Sequence, residues 1–250
     1  MSASIALQLW SVREQLEKGF EPVIRQLSDI GYAGVETAGF PGTTPEKAAQ
    51  LFKSLGLKVC SAHTGLPIGD DKNKVLDVAK TLGIKRIISG KGADSFKTLD
   101  LVKNTCDIFN QSAQVARENG LSFGIHNHWW EFEILDGKPV YKYMLDYLDK
   151  SVLFEVDVYW AAVAGANPAA VVAELGSRAP LLHIKDGPAV KGPPQTAVGD
   201  GKIDVPAIVK ASGKNAEWLI VELDNCATDM LEAVKKSYSY LVGKGFAHGK

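Results

Sequence analysis

The 250-residue sequence predicts an α/β fold, a single (β/α)8 TIM barrel spanning residues 1–250. Three observations predict it. Short, apolar, often β-branched runs recur eight times. Segments with helical spacing of apolar residues separate them. The repeat averages about 31 residues, what a barrel of about 250 residues requires.

The strand candidates, in order, are IALQLW (5–10), GVETA (34–38), KVCSAH (58–63), RIISG (86–90), SFGIHNH (122–128), VLFEVDVYW (152–160), LLHIKD (181–186) and WLIVEL (218–223). After the first strand, Val23, Ile24, Leu27 and Ile30 form one helical face; after the last, Leu231, Val234, Leu241 and Val242 do the same. Thr44-Pro45-Glu46 and Asn167-Pro168 read as helix starts, a capping side chain followed by an N1 proline. Gly31, Gly56, Gly83 and Gly120 each follow a helical stretch, where a left-handed glycine ends a helix at low cost. No GxGxxG follows the first strand, which disfavours an open dinucleotide-binding sheet. The Gly/Pro-rich stretch 187–201 reads as a long loop after the seventh strand, not as a domain boundary.

Composition narrows the function. Apolar residues make up 46% and charged residues 23%, ordinary globular values. Lys plus Arg number 28 against 29 Asp plus Glu, a net charge of −1 that argues against a dedicated nucleic-acid binder. No apolar run approaches the roughly 20 residues of a membrane helix. MSASIALQLWSVRE lacks a basic start followed by a long apolar stretch, so no secretory signal is read. Cys60, Cys106 and Cys226 are odd in number, widely spaced and outside any CxxC, as expected of free thiols in a cytoplasmic protein.

In a barrel, chemistry sits at the C-terminal ends of the strands. Ionisable residues crowd those ends: Glu36 on strand 2, His63 on strand 3, His126, His128 and nearby Glu131 on strand 5. Asp157 follows on strand 6, His183, Lys185 and Asp186 on strand 7, and Glu222 and Asp224 on strand 8. Four of the five histidines are in this set. Alternation along a strand puts His126 with His128, His183 with Lys185, and Glu222 with Asp224. Inward-pointing His, Asp, His and Glu from four neighbouring strands would converge on one point, a ligand set for one divalent metal ion such as Mn, Zn, Co or Mg. Taken singly, each residue also has a structural reading. Glu222 pairs with Lys185 inside the barrel, Asp157 caps the next loop, and the Trp129-Trp130 pair packs against a neighbouring subunit. Glu155, on the face of Asp157 but deeper, reads as structural. Joint placement on consecutive strands favours the functional reading.

LQLWSVRE, GVE, GIHNHWWEF, DVYW, HIKD, GDGKID and VELD, in this order, resemble the sugar phosphate isomerase/epimerase family, the xylose isomerase-like barrels, over essentially the whole chain. The HNHxxEF and DVYW pair is similar to a branch that also resembles inosose dehydratases and enzymes acting on 3-keto-glycosides. The resemblance implies one divalent metal held by a Glu, an Asp, a His and a Glu from strands 5 to 8. Asp157, His183 and Glu222 match the last three. At the strand-5 position stands His126, in IHNH where many relatives have LENH. Glu131, five residues on and part of the branch motif, is the preferred ligand, with His126 the alternative. His128 matches a histidine that relatives use for proton transfer. Two departures speak against a plain ketohexose 3-epimerase: Trp160 replaces a histidine after the strand-6 aspartate, and Ala189 an arginine after the strand-7 histidine.

The expected activity is a metal-dependent sugar isomerase or epimerase that removes a proton α to a carbonyl. Glu222 and His128 serve as base and acid, and Lys185 stabilises the enediolate. Trp10, Glu36, His63, Asn127 and Trp160 are expected to bind or orient the sugar. Expulsion of a β-substituent from the same enediolate would make a dehydratase or lyase. A non-catalytic sugar-binding protein is a second alternative, and a DNA-repair endonuclease on the same fold a distant third. A homo-oligomer is compatible with the sequence.

Overall fold

The computed structural model describes residues 2–250. Eight parallel strands run in chain order around a closed barrel: β1 (Ala3–Gln8), β2 (Gly34–Thr37), β3 (Lys58–His63), β4 (Arg86–Ser89), β5 (Ser122–His126), β6 (Leu153–Asp157), β7 (Leu181–Ile184) and β8 (Trp218–Val221). Pairing of β8 with β1, from Ser4 opposite Trp218 to Leu7 opposite Val221, closes it. Closure removes every edge except a short flank where Ala247–His248 also pairs with β1. Among the described residues, no helix is long and apolar enough to cross a membrane.

Eight helices follow the eight strands: α1 (Phe20–Ile30), α2 (Pro45–Ser54), α3 (Lys72–Leu82), α4 (Leu99–Glu118), α5 (Val140–Tyr147), α6 (Pro168–Leu175), α7 (Val205–Ser212) and α8 (Met230–Gly243). Their starts are chemically marked. Thr44 Oγ1 accepts from Lys47 N at 3.4 Å and Asn167 Oδ1 from Ala170 N at 3.2 Å, each with proline next. Gly31, Gly56, Gly83 and Gly120 all adopt positive φ, as helix-ending glycines should.

The apolar residues form two bodies. The larger lies between strands and helices, with Ile5, Leu7, Val35, Ile87, Phe123, Leu182 and Leu219 among its strand members. The smaller fills the lower barrel with Ala6, Cys60, Ile88, Leu181, Trp218 and Ile220. Polar side chains take over above this plug, at the C-terminal ends of the strands, which is where period-two alternation carries the inward face of each strand next.

Seven of the eight predicted strands end one to three residues early, two of them at a side-chain cap. The strand predicted to Trp160 stops at Asp157, because the Asp157 carboxylate accepts from Trp160 N at 2.8 Å and starts a short helix, Val158–Val163. The strand predicted to Trp10 stops at Gln8, whose side-chain oxygen accepts from Trp10 N at 3.1 Å and opens a 3-10 turn.

The long loop after β7 is built around one buried carboxylate. Asp186 accepts from the backbone N–H groups of Gly187, Gly199, Gly201 and Ile203 at 2.8–3.1 Å. This explains why GDG stands in that loop: a Cβ on Gly201 would lie 2.0 Å from Asp186 Oδ1 and 2.2 Å from Gly187 N. The backbone cannot yield that space without breaking the cradle. Gly201→Ala is therefore expected to cost at least about 1–3 kcal/mol, the range of overpacked sites. Urea unfolding checks the stability, and proteolysis should now cut within 187–203; an unchanged midpoint and cleavage pattern would refute the cradle's importance.

Candidate functional site

The upper barrel holds an unusual density of buried ionisable groups. Glu36, His126, Glu131, Glu155, Asp157, His183, Lys185 and Glu222 are all buried. The strand register sets their neighbours: Gln8 lies opposite Glu36, Glu36 opposite Ser61, His126 opposite Glu155, and Asp157 opposite His183.

Four of them meet. His126, Asp157, His183 and Glu222 each present a ligand atom, and these atoms all lie within 4.8 Å of one another. Each of the four also carries one buried atom with no hydrogen-bond partner: His126 Nε2, Asp157 Oδ2, His183 Nδ1 and Glu222 Oε2. A buried unsatisfied polar atom costs about 1–3 kcal/mol, more when charged, and such atoms are rare singly. Four that converge are a ligand set: two imidazole nitrogens and two carboxylate oxygens fit a divalent cation.

Two of the four, Asp157 and His183, are fixed from behind by hydrogen bonds. Asp157 Oδ1 is spent on Trp160 N, which leaves Oδ2 for the cluster. Asn127 bolts β5 to β6, accepting from Asp157 N at 2.9 Å and donating to Asp157 O at 3.1 Å. His183 Nε2 lies 2.6 Å from Glu36 Oε2, and Glu36 in turn accepts from Gln8 Nε2 at 2.7 Å and Ser61 Oγ at 2.5 Å. With its Nε2 proton on Glu36, His183 turns the Nδ1 lone pair to the cluster, the arrangement in which a carboxylate orients a metal-ligating histidine. Nδ1 lies 2.7 Å from Glu222 Oε2, so a cation, proton or metal, must lie between them.

Without a metal, protons do that work. Burial opposes a charge on His183, but Glu155, Glu222 and Glu36 outweigh it and hold the imidazolium well above its usual range. Burial, with His183, His63 and His128 adding to it, keeps His126 neutral. Lys185 Nζ lies 2.9 Å from Asp157 Oδ2, 2.8 Å from Glu222 Oε2 and 2.9 Å from Asp224 Oδ2. Only the Asp224 contact has hydrogen-bond geometry. Gln195 holds Asp224 from the other side, donating to its carboxylate at 3.1 Å and accepting from its backbone N at 2.8 Å.

Glu36, His63, Glu155 and His183 form a second cluster beneath the first. Here the contacts are largely satisfied: His63 Nε2 lies 2.5 Å from Glu155 Oε2, and Glu155 Oε2 lies 3.1 Å from His183 Nε2. Burial and then the Glu36 charge push Glu155 up to about 7. Glu155 thus supports both histidines.

Above the clusters lies a cavity of about 620 Å³ lined by His63, Thr64, Ser89, Lys91, His126, His128 and Trp130, among others. His128 stacks on Trp130 with centroids 4.1 Å apart. Trp129 touches both Trp130, at 4.7 Å, and Trp160, at 4.8 Å, and Lys185 Nζ stands 5.7 Å from the Trp160 ring. Trp10 is 45% exposed at the top of β1, with Arg13 stacked over it at 4.5 Å.

The structure departs from expectation at three residues. Glu131 is not in the four-residue cluster. Its carboxylate turns back to accept from His128 N at 2.8 Å and sits among Phe109, Ile125, Phe132, Tyr141, Met144 and Phe154. Glu36 does not face the cavity, because its carboxylate is fully buried under His183. Asn127 is likewise occupied with Asp157 backbone atoms rather than open to a sugar. Gln8, Ser61 and Gln195 carry no sequence signal at all; their roles follow only from strand and loop neighbours. Glu155 had a signal, its parity with Asp157.

Residues 24–241 match the profile of xylose isomerase-like TIM barrels. The chain belongs to the xylose isomerase-like TIM barrel family. Two solved structures of sugar phosphate isomerase/epimerases from Parabacteroides distasonis superpose on this family member with TM-scores of 0.84. One is 27% identical, covering 98% of this chain and 99% of that one; the other is 23% identical, covering 99% and 96%. A probable 3-DHS dehydratase, AsbF, from Bacillus anthracis shares the fold at a TM-score of 0.78 and 14% identity, covering 96% of this chain and 98% of that one. A search of curated proteins finds no match.

Two outcomes test this geometry. Glu36→Gln keeps the size of the side chain but weakens its hold on the His183 N–H. Zinc affinity, read by calorimetric titration, should fall about 10–100-fold with the fold intact; an unchanged affinity would reduce Glu36 to packing. Glu131 tests the sign of a buried acid. Burial pushes it from 4.5 up to about 8, so the folded chain keeps a proton that the unfolded chain has released. Its contribution is complete below about pH 4.5 and is lost as pH rises towards 8. Glu131→Gln cannot ionise, so urea midpoints measured across that window should decline less in the variant than in the wild type.

Proposed function

We propose that the protein is a metal-dependent sugar isomerase or epimerase that removes a proton α to a carbonyl. The observation that carries this reading is the convergence of four atoms without hydrogen-bond partners beside a cleft that His126 and His128 line. A divalent cation held by His126, Asp157, His183 and Glu222 would supply Lewis-acid stabilisation of the enediolate charge. The chain's own residues do the rest. His128 is partly exposed and opens on the cleft, its Nδ1 lacks a partner, and burial first of all keeps it neutral. In this reading His128 accepts the proton from a sugar carbon. Lys185, clamped by three carboxylates, presents its ammonium to the oxygen where charge develops. Glu222, ionised beside Lys185 and His183, would help hold the cation, and the proton that His128 takes returns from His128 to the enediolate. Trp129, Trp130 and Trp160 offer apolar faces to a sugar ring, and His63 borders the opposite side.

The size of the cleft favours a second reading. A cavity of about 620 Å³ has more room than a free monosaccharide needs, and ligand sites of about 300–1,000 Å³ take drug-sized molecules. A 3-keto-glycoside suits that space, and loss of its β-substituent after the same proton transfer makes the enzyme a lyase; a keto-inositol, no larger than a hexose, would lose water in the same way. The similarity to a dehydratase supports the compatibility of the fold with that outcome.

The decisive experiment incubates metal-loaded protein with keto-sugars and 3-keto-glycosides in deuterated water. Exchange at the carbon next to the carbonyl, followed by NMR, is expected for at least one substrate. An epimer or aldose product identifies an isomerase, and an unsaturated product a lyase. His128→Gln should slow exchange at least about 100-fold while retaining the metal. Saturable binding with no exchange or product would instead make this a sugar-binding protein.

A further inference from the structure

We infer that His126 makes this a centre for borderline transition metals, zinc or cobalt, in preference to manganese or magnesium. The inference rests on the reading of the four-residue cluster as a metal centre and specifies which metal that centre selects.

The argument starts from donor atoms. Oxygen-only sets suit hard cations such as Mg and Mn, whereas imidazole shifts preference towards Zn, Co, Fe and Ni. Two of the four unpartnered atoms here are imidazole nitrogens, His126 Nε2 and His183 Nδ1. With Asp157 and Glu222, which supply two negative charges, they neutralise a divalent ion, so the centre of ion and four ligands carries no net charge. Replacing one imidazole by a third carboxylate would leave it at −1 and add a hard donor.

His126 is also held as a nitrogen ligand. Its register partner is Glu155, not an open position. Its ring packs against His63, His128 and His183 with centroids 5.1, 4.9 and 4.7 Å away. Gly124, two residues earlier on the same inward face, carries no side chain, and β5 as a whole, Ser122–His126, contains no acidic residue. No carboxylate on β5 therefore competes with His126 for the ion, and Glu131, the nearest acid in sequence, is spent on His128 N.

The test reads metal directly and needs no substrate. Purified chain, stripped with chelator, is dialysed against equal zinc, cobalt, manganese and magnesium, and its metal content is measured by mass spectrometry. The wild type is expected to take about one zinc or cobalt per chain and to exclude magnesium. Zinc outcompetes manganese at most sites, so the variant ratio decides. His126→Glu should lower the zinc-to-manganese ratio at least about tenfold, and His126→Ala should lower total occupancy. Should either variant misfold, pulsed electron resonance of the copper-loaded wild type counts imidazole ligands; two are expected, and one overturns the inference. An unchanged ratio in His126→Glu also overturns it while leaving the metal centre standing. No bound metal under any condition would sink the centre itself, and a metal-loaded protein inert towards every sugar would sink only the proposed activity.

Discussion

The cost of burying charge governs the upper half of this barrel. Glu36, Glu155, Asp157 and Glu222 are four carboxylates with essentially no contact with water, and Lys185 is the one buried ammonium among them. Isolated buried ions cost several kcal/mol each, so the imbalance must be settled by protons, by hydrogen bonds or by a cation. The chain settles it differently in two tiers. In the lower tier, Gln8, Ser61 and His183 satisfy Glu36, while His63 and His183 engage Glu155 through Oε2 and leave its Oε1 without a hydrogen-bond partner. In the upper tier, Asp157 and Glu222 keep one oxygen each unpartnered beside two imidazoles. The upper tier, with two imidazoles and two carboxylates converging, has the donor set that could hold a metal ion.

The barrel makes such crowding affordable to fold, because neighbouring strands fix every spacing. Register places Asp157 beside His183 and His126 beside Glu155, and inward alternation raises each by one layer above an apolar plug. His183 joins the tiers: Nε2 faces Glu36 and Nδ1 faces Glu222. A shift of one residue in any strand would turn its polar group into the helix layer, among Leu182, Ile184 and their neighbours.

Much of this was legible in the sequence. Eight strand-like runs with helices between them are the barrel, and parity alone brings His126, Asp157, His183 and Glu222 to one face. What parity cannot give is depth or partners. Glu36 stands at a strand end, yet the register shift between Val35 and Glu36 sets it opposite Ser61 and under His183, out of reach of the cavity. Glu131 was drawn towards the cluster by its place in a motif, but a 3-10 turn over Trp130–Phe132 returns its carboxylate to His128 N. The apolar and β-branched look of VLFEVDVYW reads as one long strand; a single capping hydrogen bond from Trp160 N to Asp157 ends it. Local hydrogen bonds override propensity at the positions where the site is built.

That cap also joins the floor of the cleft to its wall. Asp157 Oδ1 starts the helix that carries Tyr159 and Trp160, and Oδ2 of the same carboxylate points into the four-residue cluster. Trp160 leans on Trp129, Trp129 on Trp130, and Trp130 stacks with His128. One packed path therefore runs from the Asp157 carboxylate, through a helix start and three indoles, to the imidazole of His128, the group proposed to move a proton. A side chain that only ligated, or only capped, would leave these parts free to drift relative to one another. Because one Asp157 oxygen caps the helix while the other faces the cluster, whatever fixes its carboxylate also fixes the Trp160–Trp129–Trp130 face and the His128 ring stacked on it.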